Sequence, residues 1–197
     1  MATKRNPRFK ECRKLGVNAC GHPKAMKRVA ATPKRRRKVS EYGLQLNEKQ
    51  KVKAYYGIFE KQLRNYYAKA KKRTEMRTGD ALLIMLEQRL DNMVYRIGFA
   101  NSIRMARQVV SHGHICVNDK KIDIPSYIVQ PNDVITLREK SRGVEGFKTN
   151  FLKQNSADLP YIERSEEGLS GKLTRSPTRS EIPVMINDQL VVEFYSR

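Results

Sequence analysis

Arg104, Arg107, Gln108, Ser111 and His112 recur at spacings of three and four, which places all five on one face of a helix. Guanidinium, amide, hydroxyl and imidazole donors converging there suit an anion, above all a phosphate. A second set of donors is the run Lys34-Arg35-Arg36-Arg37-Lys38. Lys49, Lys53, Lys61, Arg64 and Lys71 form a third, lying between apolar residues of another periodic stretch. The chemistry these residues can do is binding. Catalysis has weaker support, because the sequence carries no Gly-rich phosphate cradle, no Ser-His-Asp ordering and no HExxH.

The charge balance points the same way. The 197 residues hold 40 Lys and Arg against 20 Asp and Glu. Residues 1–80 contain 24 of the former and six of the latter, whereas residues 81–197 contain 16 and 14. So one-sided an excess repels itself, and a polyanion such as nucleic acid neutralises it. The longest apolar run, residues 81–86, is far short of the roughly 20 that a membrane helix needs. Neither a lipidation motif nor a secretory signal is apparent, so no membrane association and a cytoplasmic location are expected. Cys12, Cys20 and Cys116 are too few and too odd in number for a disulfide framework.

The elements that must position these donors fall into four stretches. Residues 1–43 lack apolar periodicity and read as an extended basic arm. Residues 44–88 read as helical. Leu46, Val52, Tyr55, Tyr56, Phe59, Leu63, Tyr66 and Tyr67 predict two helices broken near Gly57, and Asp80 predicts the cap of a third over residues 81–88. Tyrosines at this spacing suit a core first and a base-stacking platform second. Residues 89–150 predict a small α/β module. A short helix stops at Gly98, and a second runs from an N-cap at Ser102 to Gly113, with Ile103, Ala106, Val109 and Val110 behind its donors. Asn118-Asp119 marks a two-residue hairpin between residues 115–117 and a strand over residues 120–124, where Lys120 lies. Residues 134–137 follow as another strand. Residues 151–179 read as a partly irregular connection, and residues 180–197 as the completion of the helical domain. Leu190-Val191-Val192 alone fits a strand or a helix.

Four strings carry a family resemblance: Arg89-Leu90-Asp91-Asn92; Ser102-x-Arg104-x-Ala106-Arg107-Gln108; His112-Gly113-His114-Ile115-x-Val117-Asn118; and Pro131-x-Asp133. They resemble the small RNA-binding module shared by many translation proteins. Tyr42-Gly43, Glu48-Lys49-Gln50, Tyr55-Tyr56-Gly57, Glu60-Lys61-Gln62 and the ending from Asn187 to Arg197 extend the likeness. With them the whole chain resembles the family of bacterial small-subunit ribosomal protein four.

That resemblance implies an α+β fold in which the module is an insertion and the outer segments meet in a helical domain, with the ending a helix capped by Asn187. It implies a structural, non-enzymatic protein that binds 16S rRNA first at a multi-helix junction of the 5′ domain and nucleates assembly of the subunit body. Neighbouring protein five, other 30S proteins and messenger RNA where it enters the subunit are implied partners, with an influence on decoding accuracy. No homo-oligomer is required. Taken with the charge and spacing of the donors, it gives as RNA-binding Lys34 to Lys38, Tyr42, Lys49, Gln50, Lys53, Lys61, Arg64, Arg89, Arg104, Arg107, Gln108, His112, His114 and Lys120.

Two local readings stand beside it. Some relatives hold zinc on four arm cysteines, whereas this chain offers Cys12, Cys20 and His22, with the cysteines eight apart. A closed zinc site wants four ligands in closely spaced pairs, so no metal and no cofactor are expected; three ligands completed by water or RNA are the alternative. Arg89-Leu90-Asp91 also echoes the active site of some pseudouridine synthases, whose catalytic domain has no room here. Asp91 reads instead as a helix-start carboxylate that satisfies free amides.

Overall fold

The computed structural model describes residues 7–27, 39–153, 159–166 and 168–197. The basic run at residues 34–38 lies outside them. The chain forms two compact units, residues 1–82 with 184–197 and residues 83–183.

In the first unit, α1 (Arg8–Leu15) ends at Gly16, whose φ of 73° is the left-handed conformation a helix stop uses. A 3-10 turn at Pro23–Ala25 follows. Ser40 caps α2 (Glu41–Tyr55) by accepting from the Gly43 amide at 3.2 Å. The break falls at Tyr56-Gly57, and α3 (Glu60–Lys71) starts where Gln62 accepts from the Phe59 amide at 3.2 Å. α4 (Thr78–Glu87), which starts in this unit and runs past residue 82 into the second, begins two residues before the cap expected at Asp80, which sits in its first turn. Asn187 caps α8 (Asp188–Ser196), accepting from the Leu190 amide at 3.4 Å, so the ending is a helix. Val52, Ile58, Leu63, Ala70 and Val191 are buried with Tyr56, Tyr66 and Tyr67. These three tyrosines are therefore core.

α2 packs on α8, as the resemblance implies. Gln45 Nε2 donates to Glu193 at 3.1 Å, the Asn187 amide donates to Glu48 Oε2 at 3.0 Å, and Tyr67 stacks on Tyr195 with centroids 4.8 Å apart.

The second unit contains α5 (Leu90–Ile97), α6 (Ile103–Ser111), β1 (Ile115–Val117), β2 (Lys120–Lys121), β3 (Val134–Leu137), α7 (Glu145–Lys153), β4 (Ile162–Ser165) and β5 (Ser170–Leu173). The strands form one antiparallel sheet ordered β2-β1-β3-β5-β4. The fold is thus α+β. Met93, Val94 and Ile97 of α5, Ala106, Val109 and Val110 of α6, and Ile115, Val117, Ile135, Leu137 and Leu173 of the sheet share one buried cluster with Phe99, Phe147, Phe151 and Tyr161.

Three expectations are corrected. The stretch over residues 1–43 is not simply an extended arm, because its described residues include α1, which buries Cys12 and Leu15, and α2 already begins at Glu41. The segment over residues 151–179 is not mainly a connection, because it supplies β4 and β5, which extend the sheet beyond β3. Their polar composition hides them: β5 is Ser-Gly-Lys-Leu, and a Cβ on Gly171 would come within 2.5 Å of Ile97. The strand expected over residues 120–124 stops at Lys121. Beyond it the chain turns, and the carbonyls of Pro125 and Tyr127 accept from the Asp91 and Leu90 amides at 3.1 and 2.8 Å.

Candidate nucleic-acid interface

Residue types at its ends fix α6 in place. Ser102 Oγ accepts from the Met105 amide at 3.3 Å, and Gly113 at φ 71° turns the chain into β1. Lys121 lies across Gly113 so closely that a Cβ there would overlap it. Burial of Ala106, Val109 and Val110 then turns Arg104, Gln108, Ser111 and His112 outward, all exposed. The hairpin adds Lys120, also exposed. Its tight turn places Asn118 and Asp119 at φ 47° and 64°, and Asn118 is fixed by an amide donation to Asp133 at 2.7 Å and by accepting from the Val134 amide at 2.9 Å.

Arg107 does not share that outward face. Its Nη2 and Nε lie 2.6 and 3.1 Å from Asp91 Oδ2. Arg89 grips the same carboxylate through Nε at 3.0 Å and Nη2 at 2.7 Å. Arg89 and Asp91 side chains are each 1% exposed. Asp91 is therefore the anchor of two guanidiniums rather than a carboxylate spent on helix amides, and Arg89 lies in the interior instead of on the surface expected of it. His114 is half-buried, with Nδ1 2.9 Å from Ser141 Oγ and its ring 5.5 Å from Phe147.

A similar division runs through the helical unit. Lys61 and Arg64 on α3 are exposed, as is Tyr42 on α2, whose ring lies 5.6 Å from Phe194. Lys49 points inward, its ammonium 4.0 Å from the centroid of Phe194 and 3.0 Å from Glu60. Lys53 reaches the other Glu60 oxygen at 2.9 Å, and the Tyr195 hydroxyl donates to Glu60 at 2.9 Å. Burial alone pushes the Glu60 carboxyl up, but donations from Lys53, Lys49 and Tyr195 outweigh it and hold its pKa at about 2. Gln50 is half-buried. Lys69, Lys72, Arg73 and Arg77 at and beyond the end of α3 are exposed cations that the sequence reading did not single out. Their signal was the basic density after Tyr67.

Among the described residues no group of three or more His, Cys, Asp and Glu side chains is arranged to hold a metal. Burial and the neighbouring Cys20 push the Cys12 thiol up, Cys20 Sγ lies 3.5 Å from Asn18 Oδ1, and His22 Nδ1 accepts from the Lys24 amide at 3.1 Å. Among the described residues no helix is long and apolar enough to cross a membrane.

Residues 3–87 match the family described as Ribosomal protein S4/S9 N-terminal domain, and residues 88–135 match the S4 domain. Small ribosomal subunit protein uS4 of Finegoldia magna is 53% identical over 199 residues, covering all of both chains. Small ribosomal subunit protein uS4B of Clostridium acetobutylicum is 49% identical over 197 residues, again covering both completely. Small ribosomal subunit protein uS4A of Clostridium botulinum is 53% identical over 163 residues, 82% of this chain and 78% of the relative.

Proposed function

The chain belongs to the family of small ribosomal subunit protein uS4, a structural, non-enzymatic, RNA-binding part of that subunit, and from that premise we propose that it is a primary binder of 16S rRNA. Its target is a multi-helix junction of the 5′ domain, and its binding nucleates assembly of the subunit body. Full-length similarity to uS4 proteins carries this reading, and the outward donors of α6 support it.

The physical basis is geometric. Lysines and arginines neutralise phosphates and release condensed counterions, which supplies affinity without sequence preference. A-form RNA hides its base edges in a deep groove, so a junction is recognised by where its backbones lie. Arg104, Gln108, His112 and Lys120 contact RNA from the module, and Tyr42, Lys61 and Arg64 contact it from the helical unit. The run from Lys34 to Lys38 contributes phosphate contacts. Arg89, Arg107, His114, Lys49, Lys53 and Gln50 act as supports that hold those contacts in place. A protein that grips several RNA helices favours the folded junction by its differential affinity for it. Contact with ribosomal protein five and other 30S proteins, proximity to incoming messenger RNA, an effect on decoding accuracy and residence in the cytoplasm belong to the same proposal.

Nuclease footprinting on naked 16S rRNA tests it. Protection confined to a junction of several helices in the 5′ domain is the expected result. Protection scattered along single helices contradicts it.

A further inference from the structure

Pro7, Phe9, Lys10, Arg13, Lys24 and Lys27 line a cleft of about 560 Å³, within the roughly 300–1,000 Å³ range of sites that bind small ligands. Gly16 closes α1 and the chain returns so that the Pro23–Ala25 turn packs against it. The Phe9 ring is backed by His22, with centroids 5.0 Å apart, and the Arg8 guanidinium lies 5.2 Å from the Phe9 centroid. Four of the six lining residues are cations and none is a carboxylate. Among the described residues none of those four takes part in an ion pair. An aromatic ring beside a proline offers flat apolar surface, while the ammonium and guanidinium groups offer charge for more than one phosphate.

We infer that this cleft takes one unstacked nucleotide of the bound RNA, its base against Phe9 and its flanking phosphates on Lys10, Arg13, Lys24 and Lys27. The inference rests on the RNA-binding reading above and adds to it a site of defined chemistry. A bare anion has no use for the ring surface, and a base inside a duplex cannot reach it. A base splayed from a loop or junction satisfies both halves of the cleft, since single-stranded bases stack on aromatic side chains while cations track the backbone. The same basic surroundings disfavour a basic peptide. An acidic peptide is the competing occupant.

The chain contains no tryptophan, so the full-length Phe9→Trp variant carries a single indole at the cleft. With a 16S 5′-domain fragment as probe, indole emission falls severalfold over the same RNA concentrations at which filter binding saturates. Saturable RNA binding with unchanged emission overturns the nucleotide site and leaves the RNA-binding reading standing. Absence of RNA binding by the unaltered chain ends both.

Two further variants make the result independent of the indole. Phe9→Leu keeps apolar volume and loses the aromatic face, and it weakens the fragment's binding roughly tenfold at an unchanged salt slope. Lys24→Gln with Lys27→Gln lowers the slope of log affinity against log salt by about 1.4 to 1.8. Wild-type affinity in the first, or a wild-type slope in the second, contradicts the site and leaves the cleft to the acidic peptide.

Discussion

Arg107 is tied to Asp91, with Nη2 2.6 Å and Nε 3.1 Å from one carboxylate oxygen. Arg104 lies one turn earlier on the same helix and is exposed. Two arginines that a helical wheel places together therefore do different work, one bracing α6 against α5 and the other facing outward.

Arg104→Ala is expected to lower the urea unfolding midpoint less than Arg107→Ala does, and to lower the salt slope of rRNA binding by about 0.7 to 0.9, the effect of one lost phosphate contact. Arg107→Ala is expected to lower the midpoint. Filter binding at several salt concentrations, paired with denaturant titration, separates the two. The reverse pattern would assign Arg107 to the RNA and Arg104 to the fold.

Asp91→Ala leaves two guanidiniums without their shared carboxylate, one of them on Arg89 with 1% exposure. Breaking a buried pair from one side costs about 3–5 kcal/mol. Denaturant unfolding should register a loss of that order, and a change below about 1 kcal/mol would show that the site relaxes around the missing charge.

Glu60 sets a pH dependence. Its pKa is about 2 in the folded chain, against an ordinary glutamate value of about 4.3. A carboxyl depressed by folding stabilises the native state above the unfolded value, and that stabilisation fades as pH falls from about 4.3 toward 2. Because the side chain is 35% exposed, screening reduces the contribution to about 1–2 kcal/mol. Wild type should exceed Glu60→Gln by that amount at pH 6, with the gap narrowing toward pH 3. A gap constant across this range contradicts the ion-pair account.

Gly113→Ala combines a positive φ of 71° with a Cβ that must displace Lys121. A loss of about 1–2 kcal/mol is expected from the backbone conformation alone. Unaltered stability in thermal unfolding would mean that the turn between α6 and β1 rebuilds at no cost.

Much of this was legible in the sequence because it is local. Ser102 caps its helix, Gly98 and Gly113 stop theirs, and Asn118-Asp119 adopts the left-handed turn that its residue types permit. The helix capped by Asn187 came only from the family resemblance, because Leu190-Val191-Val192 fits a strand as well. What escaped is long-range. Asp91 meets Arg107 from the next helix, and Lys49 lies over Phe194 near the other end of the chain. No periodicity distinguishes an inward lysine from an outward one. β4 and β5 escaped for a different reason. Edge and near-edge strands rich in Ser, Gly, Lys and Glu lack the apolar alternation that marks a strand in sequence.

Competition in moderately concentrated potassium chloride, between a 16S 5′-domain fragment and random duplex RNA of equal length, probes directly whether placement of the cations, and not their number, selects the target. Preference for the folded fragment by at least about a hundredfold is the predicted result, since specific sites exceed non-specific ones by orders of magnitude. Equal affinity for the two would contradict it.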